Sequence, residues 1–86
     1  MAKYRVLIKP SAVKELEEIS EKDRHRIVYR IRGLSQNPRP RGCEKLTAHD
    51  KYRIRQGRFR ILYQIRDDEV VVIVVRIAHR KDVYNK

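Results

Sequence analysis

The chain has 86 residues, with 22 Lys and Arg against 11 Asp and Glu, a formal charge of +11 at neutral pH. That length allows one hydrophobic core and a single domain over residues 1–86, and leaves little room for a deep enclosed cavity. Chemistry is therefore expected on an open surface or shallow concavity, which suits a polymeric substrate better than an engulfed metabolite.

Cys43 stands alone, which excludes an internal disulfide and a cysteine-paired metal site and fits a reducing cytoplasm. No apolar run approaches the roughly 18 residues of a bilayer span, and the N-terminus lacks a secretory pattern, so a soluble cytoplasmic protein without membrane contact is expected.

The positive charge is unevenly spread. Residues 1–38 hold nine basic and five acidic side chains, 39–60 eight and two, and 61–86 five and four. A surface charged only for solubility intersperses the two signs, whereas a one-sided middle segment attracts and steers phosphates. Nucleic acid is the expected partner class.

In chain order, residues 4–8 are β-branched and aromatic enough for a first strand, ended by Pro10 at the opening turn of a helix. Ala12, Val13, Leu16 and Ile19 then recur at helical spacing, with Lys14, Glu15, Glu17 and Glu18 off the stripe. Ser20 and Asp23 resemble a capping box that starts a second helix burying Ile27, Val28, Ile31 and Leu34. Asn37-Pro38 ends the helical hairpin, and residues 35–42, with two prolines and a glycine, form a loop.

Residues 52–56 and 58–65 flank Gly57 as an antiparallel strand pair, and Asp67-Asp68-Glu69 makes the next turn. Residues 70–78 are apolar except Arg76, the pattern of a central strand covered on both faces, with the first and third strands as its neighbours. The expected class is α+β: a mainly antiparallel four-stranded sheet with the helices on one face.

Alternation along a strand puts Arg53 and Arg55 on one face of the second strand, and Arg58 and Arg60 on one face of the third. The row Phe59, Ile61, Tyr63 and Ile65 must face the core, so all four arginines are expected together on the side away from the helices. A polar sheet face normally mixes Lys, Glu, Thr and Ser. Four arginines at close range repel one another, and the arrangement is better explained by an anion bound among their planar donor forks. The histidines His25, His49 and His79 have no metal-ligand spacing, and no Gly-rich phosphate loop is present, so no metal and no cofactor is expected.

With the strand, helical hairpin and basic β-hairpin, the run Gly57-Arg58-Phe59-Arg60-Ile61-Leu62-Tyr63 and the closing His79-Arg80-Lys81-Asp82-Val83-Tyr84 resemble the RelE branch of the RelE/ParE toxins over nearly the whole chain. The resemblance implies a ribosome-dependent endoribonuclease that cuts mRNA in the ribosomal A site by attack of a ribose 2′-hydroxyl, leaving a 2′,3′-cyclic phosphate. It also implies an acidic antitoxin of the RelB kind. Stoichiometry stays open, a heterotetramer being one arrangement.

By motif, Arg60 would stabilise the phosphorane charge, Arg80 would assist the leaving 5′-oxygen, and Tyr84 would act as base or position the nucleotide. Arg53 joins this catalytic set, with Arg55, Arg58, His79, Lys51 and Lys81 as substrate-binding residues. Arg53 and Arg55 stand where relatives carry lysines, and an arginine stays charged and cannot accept a proton. The general base is then Tyr84 or His79. Two rival readings share the fold: a ParE-like inhibitor of DNA gyrase, in which Arg80 and Tyr84 have no evident purpose, and a noncatalytic RNA-binding domain, which needs no tyrosine beside its arginines.

Overall fold

The computed structural model describes residues 3–46 and 50–79. Its elements are β1 (Arg5–Ile8), α1 (Pro10–Glu17), α2 (Glu21–Gly33), β2 (Glu44–Lys45), β3 (Lys51–Gln56), β4 (Phe59–Arg66) and β5 (Val71–His79). The sheet order is β1-β5-β4-β3-β2, with β1 parallel to β5 and every other pair antiparallel. The α+β expectation holds, and so does the central place of the valine-rich strand between β1 and β4. The sheet has five strands rather than four, because Glu44 and Lys45 add a two-residue edge strand that pairs with Arg53 and Tyr52. A pair of exposed polar residues carries no apolar alternation from which a strand could be inferred.

Both helices form where their apolar stripes lie. Ser20 is the N-cap of α2, but its hydroxyl donates to the Asp23 carboxylate at 3.3 Å and does not cap a backbone N–H. Val13 lies on the solvent side, since the eight-residue α1 buries only the i, i+4 pair Ala12 and Leu16. These two side chains join Ile27, Ile31 and Leu34 of α2 and the inward row Tyr52, Ile54, Ile61, Tyr63, Ile65, Val72, Val74 and Ile77 in one cluster.

Two local corrections concern the hairpins. Gln56 pairs with Phe59, so Gly57 and Arg58 form a two-residue turn in which Gly57 takes φ +61°. Arg58 is thus a turn residue rather than a strand neighbour of Arg60. Such tight turns need a left-handed residue to match the twist of the flanking strands, and glycine adopts that conformation without a Cβ clash. Val70 likewise has φ 54° and closes the β4–β5 turn, so β5 begins one residue later than the apolar run suggests.

The proline-containing loop is pinned at several points. Tyr63, fully buried and stacked on Tyr52 with ring centroids 5.9 Å apart, donates its hydroxyl to the Pro38 carbonyl at 2.7 Å. Arg39 lies 5.2 Å over the Tyr52 ring and donates to both carboxylate oxygens of Asp67, at 2.8 and 3.4 Å. Tyr4 donates to the same Asp67 at 2.6 Å. The loop, the start of β1 and the β4–β5 turn therefore meet at one carboxylate.

At the opposite end, β1 stops at the level of Val74, and beyond it the edge of β5 has no strand beside it among the described residues. There Glu15 of α1 accepts the Ile77 backbone N–H at 2.7 Å and approaches Arg76 Nε at 3.5 Å. A helix side chain replaces the missing strand as the hydrogen-bond partner, which satisfies an amide that would otherwise be stranded.

Candidate nucleic-acid interface

The register of β3 and β4 determines which basic groups meet. Lys51, Arg53 and Arg55 alternate with the buried Tyr52 and Ile54, so they share the face directed away from the core. Arg53 stands opposite Leu62, and Arg55 opposite Arg60. The alternation argument thus brings Lys51, Arg53, Arg55 and Arg60 onto one face, with Arg58 at the hairpin tip beside them. The Arg55–Arg60 pair sets two like charges across neighbouring strands.

These cations differ in accessibility. Lys51, Arg55 and Arg58 are exposed. Arg60 is only 3% exposed, packed between Arg55 on one side and Ala78 on the other. It was expected on an open arginine face and instead lies beneath it. Alternation fixes the face a side chain occupies, whereas burial depends on what covers that face, which a two-residue period cannot express.

Arg53 is likewise engaged. Its Nε and Nη2 donate to the Glu44 Oε1 at 3.1 and 2.8 Å. The pairing follows from β2, which sets Glu44 directly across from Arg53. The Arg53 hydrogen bond and charge hold the Glu44 carboxyl below the usual carboxylate range, and Arg55 and Arg60 lower it further. One acidic side chain thus sits within the field of three guanidiniums. Sequence reasoning passed over Glu44, because its only signal was being one of two acidic residues in the basic middle segment.

His79 goes elsewhere. It is in register with Phe59, in the row of Ile61 and Ile77, and its ring meets the Phe59 ring edge-on at 5.5 Å. With Glu15, Glu18, Ile19 and Phe59 it lines a concavity of about 230 Å³ on the α1 side of the sheet. The structure therefore separates His79 from Arg55 and Arg60. Arg80, Lys81 and Tyr84 lie outside the described residues. Among the described residues no three His, Cys, Asp or Glu side chains gather as a metal site requires, and no helix is long and apolar enough to cross a membrane.

A face of cations with one carboxylate at its rim offers planar donor forks that can pair with anionic groups. Comparison with known proteins gives the family. The family described as the ParE toxin of type II toxin-antitoxin system, parDE, matches residues 6–84. A putative RelE-like toxin protein of Escherichia coli is 26% identical over 87 residues, covering 96% of this chain and 92% of the relative. The putative toxin RelE1 of Methanocaldococcus jannaschii is 28% identical, at 95% and 96% coverage.

Among solved structures, the toxin-antitoxin complex RelBE2 of Mycobacterium tuberculosis contains a chain with TM-score 0.82 and 28% identity, covering 93% of this chain and 94% of that one. The archaeal RelE-RelB complex of Pyrococcus horikoshii gives TM-score 0.83 at the same identity, with 93% and 97% covered. With the family match spanning residues 6–84, and so the strands that carry the arginine face, the chain belongs to the RelE/ParE superfamily as a RelE-like toxin of a type II toxin-antitoxin system.

Proposed function

We propose that this toxin is a ribosome-dependent endoribonuclease that cuts mRNA in the ribosomal A site in the cytoplasm and is neutralised by an acidic antitoxin. The observation that carries the reading is the outward face of β3 and β4, where Lys51, Arg53 and Arg55 stand in a row over Arg60. In this reading Arg55, Arg58 and Lys51 hold the RNA backbone. Arg53 and Arg60 stabilise the dianionic phosphorane formed when the 2′-hydroxyl attacks, and a 2′,3′-cyclic phosphate is left. Arg80 serves the leaving 5′-oxygen and Tyr84 positions the nucleotide, with Lys81 beside them. His79, on the other face, is assigned no contact with the scissile phosphate.

A chain of charge +11 calls for a partner of opposite sign. The two solved neighbours described above are toxin-antitoxin complexes, which supports an antitoxin as that partner. The ParE name of the matching family keeps gyrase inhibition as a second reading.

Primer extension on mRNA, with and without ribosomes programmed at a defined codon, separates the two. Cuts at the A-site codon only when ribosomes are present are the expected result. No cuts in either lane, together with loss of supercoiling by purified gyrase, would replace the nuclease with a gyrase inhibitor.

A further inference from the structure

We propose that Glu44 is the proton acceptor for the attacking 2′-hydroxyl, an assignment that rests on the ribonuclease reading above. The basic face poses a chemical problem: arginine remains protonated and cannot serve as a base. Lys51 stands at the exposed start of β3, six positions along the pairing from the hairpin turn, and His79 is on the other side of the sheet.

Glu44 is the acidic group that β2 sets against the face. It stands opposite Arg53 in the register, and the charges of Arg55 and Arg60 reach it from β3 and β4. A phosphodiester bound over Arg53, Arg55 and Arg60 therefore lies beside this carboxylate.

The details fit a base. Three guanidiniums favour the charged form of Glu44 and hold its carboxyl below the usual range, with Arg53 contributing most. Both Arg53 contacts fall on Oε1, and among the described residues Oε2 accepts no hydrogen bond. The side chain is 52% exposed, so an incoming ribose can reach it. When a phosphate takes over the Arg53 fork, the carboxylate loses its strongest partner and becomes more basic at the moment it is needed.

In the step itself, the 2′-hydroxyl proton passes to Oε2, the O2′–P bond forms and the P–O5′ bond breaks. The 5′-oxygen takes a proton from water, and Glu44 later returns its own proton to solvent. The products are a cyclic phosphate and a 5′-hydroxyl, with no other reactant consumed.

Single-turnover cleavage on programmed ribosomes, measured against pH for the wild type, Glu44→Gln, Glu44→Asp and Arg53→Ala, tests the assignment. Glutamine keeps an oxygen for Arg53 and loses the ability to take a proton. Glu44→Gln should slow cleavage by about 100-fold or more, the usual contribution of a general base, while ribosome binding is unchanged or tighter. Glu44→Asp should recover part of the rate. The fall in wild-type activity on the acid side should be absent from the Glu44→Gln profile. A Glu44→Gln rate within about threefold of an active wild type would overturn this proposal and leave the nuclease standing, as would an acid limb that survives the substitution. A fall with Arg53→Ala as large as that with Glu44→Asp, together with near-normal turnover of Glu44→Gln, would reduce Glu44 to a prop for Arg53. An inactive wild type would overturn the ribonuclease reading, and this assignment with it.

Discussion

Replacing Glu15 by Ala removes the acceptor that α1 supplies to the exposed end of β5. The Ile77 N–H donates to Glu15 at 2.7 Å, and Ile77 is only 2% exposed, so water cannot readily replace the carboxylate. A hydrogen bond to a charged acceptor contributes about 1.5–3 kcal/mol, and stranding the amide costs a similar amount. The Arg76 contact at 3.5 Å involves groups about a third exposed and adds less than about 1 kcal/mol. Taking about 2 kcal/mol in all, the midpoint of thermal unfolding should fall by roughly 8–16 °C for a domain of this size. Glu15→Gln, which keeps an amide oxygen at the same reach, should recover most of the loss. Amide exchange of Ile77 should accelerate selectively in Glu15→Ala. A melting temperature within about 2 °C of the wild type, with Ile77 exchange unchanged, would refute the idea that a side chain substitutes for a strand here.

Tyr63→Phe deletes the hydroxyl bonded to the Pro38 carbonyl at 2.7 Å and should cost about 1–2 kcal/mol in urea unfolding, read as a lower midpoint at unchanged slope. Asp67 has its carboxyl held below its ordinary value, first by Arg39 and then by Tyr4. A depressed acid stabilises the fold above its unfolded-state pKa and loses that contribution as pH falls through the lower folded value. Wild-type stability should therefore decline below the ordinary aspartate range, and Asp67→Asn should flatten that part of a pH titration of the melting temperature. Arg55→Ala and Arg58→Ala should each lower the salt dependence of RNA binding by about one unit of slope in a log–log titration, because each removes one phosphate contact. An unchanged slope in both would place the RNA elsewhere.

Much of the fold was legible because it follows from apolar periodicity. The apolar run of residues 70–78, interrupted only by Arg76, identified β5 as central, and the row Ile61, Tyr63 and Ile65 fixed the inward face of β4. What escaped was set by contacts distant in sequence. Arg60 shares the expected face but is covered. Arg58 was drawn into the turn by Gly57, whose positive φ implies the two-residue connection. His79 reaches the helix side because the β4–β5 register skips Val75 opposite Leu62 and Tyr63, which moves the inward row of β5 from Val72 and Val74 to Ile77 and His79, and a strict two-residue period cannot show that shift. Glu44 became a candidate only once β2 was seen opposite Arg53, since an exposed Glu-Lys pair has no pattern of its own.

The order of the strands also governs when the basic face exists. β5 is the last of the described strands yet lies in the middle of the sheet, and β1, the first of them, pairs with nothing else among them. A nascent chain that has reached β4 can close the β3–β4 hairpin but has no partner for β1 and no second side for β4. Such long-range closure makes folding slow and nearly all-or-none. The β3–β4 hairpin can set Arg55 opposite Arg60 early, but the second side of Arg60 is covered only after β5 emerges, so during its own synthesis the toxin carries its charges before their packing is complete.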